Sequence, residues 1–494
     1  MLFPTIEFAL FFALVFPITW ALNEYNTAKK WFLVGASYFF YAFWSVGYTL
    51  ILFASSLFNF TLALALDRLG DGPPRRALFW LGIAGNLALL GYFKYYNFFI
   101  AQAMNLMMSL GLPLNLAFIE VALPIAISFL TFHALSYIID VYHRRLKATR
   151  SLVDILLYIS FFPHLIAGPI VRAKAFLEQT VRISSPYDVR LGLSVFLITG
   201  GLFKKVIVAN YLSTDFVDGV FRSPGDFSRL DLLFGMYAYA IQIYCDFSAY
   251  TDIAIGVANL LGYRFPQNFN QPYRALSVQD FWRRWHITLS SWLRDYLYIP
   301  LGGSRGGTLS TYRNILITMG LGGLWHGASL NFVFWGLLHG MALVVERMFG
   351  LRAPAEGNAK PQAATDSLPR LRGRVGEGAR VGKGLRTALA WFVTFHFVCL
   401  TWIFFRASSL ANAWQILSRI GSLTAGFGNV PPLLTAVLLL GAAAMFVRKE
   451  WHARAVNVFA AAPFYVHAAA LVLVAIVLQT LGGRGSVPFV YSRF

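Results

Sequence analysis

The sequence predicts an all-α polytopic integral membrane protein. Three observations lead there. Of the 494 residues, 57% are hydrophobic and only 13% charged, whereas about a quarter of a soluble protein is charged. The apolar residues are gathered into runs long enough, or nearly so, to cross a bilayer, with passages such as FALFFALVF and LLTAVLLLGAAAMF. Those runs are long and uneven, unlike the short alternating strands of a membrane β-barrel.

In chain order the apolar runs fall near 5–22, 31–66, 77–103, 112–141, 151–171, 189–211, 231–262, 311–347, 386–405, 431–448 and 465–482. Several are long enough for two helices, so roughly 11–13 spans are expected, some of them re-entrant. The first ionisable side chain is Glu7, and neither a basic leader nor a small-residue cleavage site stands out, so the first run reads as a retained span. In FFPHLIAGPIVR (161–172), Pro163, Gly168 and Pro169 interrupt the apolar run and predict a kinked or re-entrant element, with His164 packing or capping. No internal repeat is visible, which weighs against an inverted-repeat transporter.

The formal charge is +19. In a membrane protein such a surplus is explained by loops on the cytoplasmic side rather than by nucleic acid. Lys29–Lys30, Arg75–Arg76, Arg144–Arg145–Lys147–Arg150 and Lys204–Lys205 mark those loops and put the N-terminus outside. Residues 351–386 are rich in Pro, Gly and Arg and read as a disordered basic cytoplasmic loop, either a docking arm or a tolerated insertion. The loop divides a core (1–350, with catalytic segments at 263–347) from C-terminal transmembrane helices (387–494). Cys245 and Cys399 lie in apolar runs, so neither a disulfide framework nor a thiolate metal site is expected.

The stretch 263–313 is too polar to span. Arg264, Arg274, Arg283, Arg284, Arg294, Arg305 and Arg313 face only Asp280 and Asp295, with Trp282, Trp285 and Trp292 interspersed. Amphipathic helices lying at the cytoplasmic interface fit that pattern. Within it, His286, Ser290, Arg294 and Asp295 are spaced to lie near one helical face. Downstream, Gly320, Gly322 and Gly323 precede Trp325 and His326 and allow a close approach of backbone or ligand. Ionisable groups at membrane depth are costly and usually functional, and histidine is the side chain best suited to move a proton near neutral pH. A lone buried histidine is more simply a packing residue, as expected for His339; two in such surroundings point to acid–base chemistry. A metal site would call for tightly spaced ligands such as HExxH, and none is present, so no metal is expected. In YCDFSAYTDIAIG (244–256), Asp246 and Asp252 are six residues apart and off a common face. Either helix–helix hydrogen bonding or a substrate role suits them.

LPIAISFLTFHALSYIIDVY, FFPHLIAGPIVR, YCDFSAYTDIAIG, NFNQPYRALSVQDFWRRWHITLSSWLRDYLYIPLGG and GLWHG together resemble the membrane-bound O-acyltransferase (MBOAT) family. The likeness is strongest to its alginate O-acetylation (AlgI-like) branch and more distant to its D-alanylation (DltB-like) branch. It runs through most of 1–350 and returns at the C-terminus. It implies an MBOAT core of transmembrane, re-entrant and interfacial helices around a central funnel from the cytoplasm. The family's catalytic histidine falls on His326, and the second active-site histidine of this branch on His286. Arg283, Arg284, Arg294, Asp295, Ser290, Trp325 and Asp246 are the candidate substrate-binding residues.

The resemblance further implies a bacterial inner-membrane O-acetyltransferase with acetyl-CoA as donor substrate and no bound cofactor. The acetyl group would pass to an extracytoplasmic SGNH-type (AlgJ- or AlgX-like) acetyltransferase and on to a polysaccharide such as alginate. The terminal PFVYSRF matches an F-x-Y-x-x-F ending of that branch, where the tyrosine is an acyl relay; here it is Tyr491. By itself the segment reads as an aromatic anchor at the membrane interface. Two departures stand out: Ala249 where the family commonly has Gly, and the long insertion 351–386. An acyl-carrier-protein donor, peptidoglycan or cellulose as acceptor, and a polytopic transporter are the alternatives.

Overall fold

A computed structural model describes residues 1–112, 114–119, 123–351, 377–422, 428 and 430–482. Among the described residues all regular structure is helical. Four helices are long and apolar enough to cross a membrane: Val46–Arg68, Pro73–Ser109, Leu191–Arg222 and Gly384–Arg406. The pair Pro432–Met445 and Glu450–Ala460, bent by 94°, makes a fifth if counted as one span, and Ile6–Ala21, Ile127–Tyr142 and Phe464–Ile476 are shorter apolar helices. The outer helices expose large apolar side chains, among them Leu10, Leu50, Trp80, Leu106 and Leu389. Such an exterior suits acyl chains rather than water. This is an all-α, multi-pass membrane protein.

Fewer full-length spans stand among the described residues than the apolar runs suggest, because several runs are broken. The run 151–171 forms Leu152–Ser160, a single turn Phe162–Leu165 and then non-helical chain. One break falls at Phe161, with Pro163 in the first turn of the short helix that follows, and the other spans Gly168 and Pro169. Among its described residues, run 112–141 holds only Ile127–Tyr142 as helix, and 14 of that helix's 16 residues are buried. Short and broken helices are tolerated at membrane depth where protein rather than lipid surrounds them.

Among the described residues the longest unbroken helix is Arg229–Leu260, 32 residues started by a capping box between Ser228 and Asp231. It packs along Leu191–Phe203, which continues through the π-helical turn Lys204–Ala209. Two ion pairs join them. Lys205 Nζ lies 2.6 Å from Asp246, both side chains 2% exposed, and Lys204 Nζ lies 2.5 Å from Asp252. Lys204 also donates to Ser248 Oγ at 2.8 Å. Asp246 and Asp252 do not share a helical face, yet adjacent lysines on the neighbouring segment meet both.

The helix Glu377–Arg406 begins inside the segment read from composition as loop, so 377–386 belongs to the helix instead. Its arginine and glycine content concealed a helical start; most of the remaining loop, 352–376, lies outside the described residues.

Candidate active site

Two of the three tryptophans in the stretch 263–313 pack inside the protein rather than on its surface. Trp285 and Trp292 are buried, and Trp292 stacks on Phe132 with ring centroids 3.7 Å apart. His286, Ser290, Arg294 and Asp295 do not share one helix. Helix Val278–Arg284 ends at Trp285, helix Ile287–Leu293 begins after it, and His286 is the junction, in the left-handed region at φ 43°, ψ 54°. That conformation costs a non-glycine residue about 1–2 kcal/mol. A sequence period cannot reveal such a break, because both halves are helical and the residues flanking it are ordinary helix formers.

Asn268, fully buried, holds the junction in place. Its backbone carbonyl accepts from Ile287 N at 2.9 Å. Its side-chain Oδ1 accepts from Thr288 N at 3.1 Å and Thr288 Oγ1 at 2.9 Å, and meets His286 Nδ1 at 3.2 Å. The backbone N–H can only donate, so the atom facing His286 is the amide oxygen, and Nδ1 must carry the imidazole proton. The neutral ring then has Nε2 as its accepting nitrogen. Thr288 Oγ1 in turn accepts from Ile170 N at 3.0 Å, which ties the broken 161–172 segment to the same junction. Farther back, Glu346 accepts the backbone N–H groups of Val278 and Gln279, the latter at 3.0 Å, capping Val278–Arg284 from a distant helix.

His326 is the last residue of helix Gly307–His326; Gly327 leaves in extended conformation. Trp335 and Phe405 surround its ring at centroid distances of 5.2 and 5.3 Å, with Trp325 at 5.0 Å. Helix Leu330–Met348 packs back against it at very close range. A Cβ on Gly323 would stand 2.1 Å from the Phe332 carbonyl oxygen, and one on Gly336 2.2 Å from that of Met319. Of the glycines before His326, Gly323 therefore admits backbone, one of the two expected possibilities, whereas Gly320 and Gly322 face the Leu337 and Leu293 side chains.

The structure brings His286, Trp325 and His326 together. The Trp325 ring lies 6.1 Å from His286 and 5.0 Å from His326, and His286 and His326 are 0% and 3% exposed. Phe132, 5.1 Å from Trp325, backs the cluster. Two imidazoles beside an indole, buried from the surface, can orient a hydroxyl and move its proton.

The other expected site residues have different company. Arg283 and Arg294 are exposed, and Arg294 Nε donates to Asp295 at 2.7 Å. Asp295 also pairs with Arg172 at 2.9 Å. Arg284 pairs with Asp280 at 2.8 Å, and Ser290 Oγ donates to the Trp285 carbonyl at 3.3 Å. Asp246 is engaged by Lys205. His339 is buried, 3.0 Å from Thr401 Oγ1 and packed against Trp335, and His164 lies 2.9 Å from the Tyr158 carbonyl and stacks on His133. Tyr491 lies outside the described residues.

Sequence reasoning passed over Asn268, Thr288 and Lys94. The first two are neutral polar residues with no spacing signal. Lys94 had one, as a lone lysine within the apolar run 77–103.

The membrane-bound O-acyltransferase (MBOAT) family model matches residues 128–355, the part of the chain that holds both histidines. The chain is 40% identical over 393 residues to the "Probable alginate O-acetylase AlgI" of Pseudomonas aeruginosa, covering 79% of this chain and 69% of the relative. It is 37% identical over 417 residues to the "Peptidoglycan O-acetyltransferase" of Helicobacter pylori, covering 79% and 73%. It is 30% identical over 291 residues to the "Teichoic acid D-alanyltransferase" of Bacillus subtilis, covering 57% and 68%. With likeness of this extent joined to a helical membrane fold around two buried histidines, the chain belongs to the membrane-bound O-acyltransferase family and is a multi-pass membrane O-acyltransferase.

Proposed function

We propose that the protein is an inner-membrane O-acetyltransferase that takes acetyl from cytoplasmic acetyl-CoA and passes it outward for O-acetylation of an extracytoplasmic polysaccharide. The observation that carries this reading is the placement of His286 and His326 beside Trp325, closed off from the surface. His326 takes the proton of the attacking hydroxyl as its oxygen bonds to the thioester carbonyl carbon. The C–S bond then breaks, and the same proton passes to the departing sulfur. His286, with its accepting Nε2 fixed by Asn268, positions the reacting group. Polarising a carbonyl instead requires the doubly protonated ring. The exposed Arg283, Arg294 and Arg305 offer cations for the CoA phosphates.

Tyr491 is the relay nucleophile of this scheme, giving up its phenolic proton as it takes the acetyl group. An SGNH-type partner outside receives the group. The relatives named for alginate and for peptidoglycan support O-acetylation and leave two acceptors, of which an alginate-like exopolysaccharide agrees with the higher identity. The relative named for D-alanyl transfer supports a second reading with a carrier protein as donor. Replacing His326 with Ala is expected to abolish O-acetyl content of the secreted polymer at normal protein level. Unchanged O-acetyl content would sink the assignment. Release of thiol from acetyl-CoA by purified protein separates the two donors.

A further inference from the structure

The last four carbonyls of an α-helix have no partner within the helix. In Gly307–His326 three of these are met from another helix. The π-helical turn Gly91–Tyr95 interrupts the long span Pro73–Ser109. From this turn Tyr95 Oη donates to the Leu324 carbonyl at 2.8 Å. Lys94 Nζ donates to the Trp325 carbonyl at 2.7 Å, to the His326 carbonyl at 3.3 Å and to Ser128 Oγ at 3.2 Å. Among the described residues Lys94 stands in no ion pair, unlike Lys30, Lys204 and Lys205, which each meet an aspartate. Its charge faces the negative end of the helix dipole instead, where a cation is favoured. π-helical turns commonly mark functional sites, since the extra residue redirects side chains.

We infer that Lys94, with Tyr95, positions the catalytic helix end: by tying the carbonyls of residues 324–326 it fixes where the His326 imidazole stands for acyl transfer. The inference rests on the proposed role of His326. Neither residue touches the reacting atoms, so both act through the backbone that carries the base. A displacement of about 1 Å in such a group lowers the rate about 100-fold.

The test uses full-length protein in lipid nanodiscs and measures thiol release from acetyl-CoA, with O-acetyl content of the polymer in cells as a readout independent of donor. Lys94→Met is expected to lower kcat about 100-fold with KM for acetyl-CoA within about twofold, since positioning of the base is lost and donor binding is kept. Lys94→Arg, which keeps charge and donors, is expected to recover about tenfold of that loss. If Lys94→Met does not fold, Tyr95→Phe carries the test, with kcat expected about threefold to tenfold down at constant KM. A folded Lys94→Met or Tyr95→Phe with wild-type kcat overturns the inference. So does a Lys94→Met defect confined to KM, or an Arg variant no better than Met at a wild-type melting midpoint. If wild-type protein releases no thiol, the acetyl-CoA reading fails by itself, and the Lys94 comparison is decided by O-acetyl content in cells.

Discussion

Asn268 meets His286 at 3.2 Å through its Oδ1, and the same oxygen accepts both the backbone N–H and the hydroxyl of Thr288. One buried amide thus fixes the tautomer of a site histidine and holds it in a left-handed conformation that its own sequence would not adopt. Truncation to Ala strands those donors, each at a cost of roughly 1–3 kcal/mol. Asn268→Ala is therefore expected to melt earlier and to transfer acyl groups about 100-fold more slowly, within the range that a positioned acid–base group contributes. A folded variant with full activity would show that the tautomer is set elsewhere.

The close crossing of the two helices that follow makes a second prediction. Gly323→Ala puts a methyl group 2.1 Å from the Phe332 carbonyl oxygen, so Gly307–His326 and Leu330–Met348 must separate. About 1–3 kcal/mol of stability should go, and activity should fall about 100-fold as His326 shifts. Gly200→Ala is the matched control, because a Cβ there meets nothing within 4 Å. It should be neutral or slightly stabilising, gaining up to about 1 kcal/mol of helix propensity. Melting curves and turnover of the two variants side by side check both statements.

Lys205 and Asp246 form an ion pair with both side chains 2% exposed. Removing one partner strands a charge and should cost about 3–5 kcal/mol, whereas Lys205→Met with Asp246→Leu together should recover most of it. The double variant also separates the two roles open to Asp246. Activity that returns with stability marks a structural pair; a stable but inactive double variant marks a substrate contact.

Acid should loosen the turn between Val46–Arg68 and Pro73–Leu90. There Arg144 at 3.1 Å, then Arg75, hold the Asp71 carboxyl below its ordinary range through hydrogen bonds and charge. Arg75 meanwhile donates to the Leu66 and Tyr142 carbonyls at two helix ends. A depressed carboxyl contributes stability that is present above its unfolded-state value and is lost as pH falls through the folded one. The group is exposed, so the effect is small and screened by salt. The melting midpoint should drop below about pH 4 and do so less in Asp71→Asn; equal acid profiles would remove Asp71 from the account.

Much of this was legible in the sequence because it depends on composition and local residue type. Apolar runs with few charges require a membrane and helices, since backbone groups in lipid must be satisfied within the segment. Pro163, Gly168 and Pro169 marked a break, and ionisable histidines at depth marked a site. Only the tertiary structure decided how that site is assembled. Spacing put His286 on a helical face; Asn268, 18 residues earlier, breaks the helix there and pins the ring. Nothing local links Lys94 to His326, yet Lys94 binds the carbonyls of Trp325 and His326. Periodicity records which face of an element is buried, but a hydrogen bond between distant segments leaves no periodic trace. The sequence by itself therefore determined the solvent and the helical class and singled out His286 and His326, while their orientation and mutual distance arose only when separate helices packed.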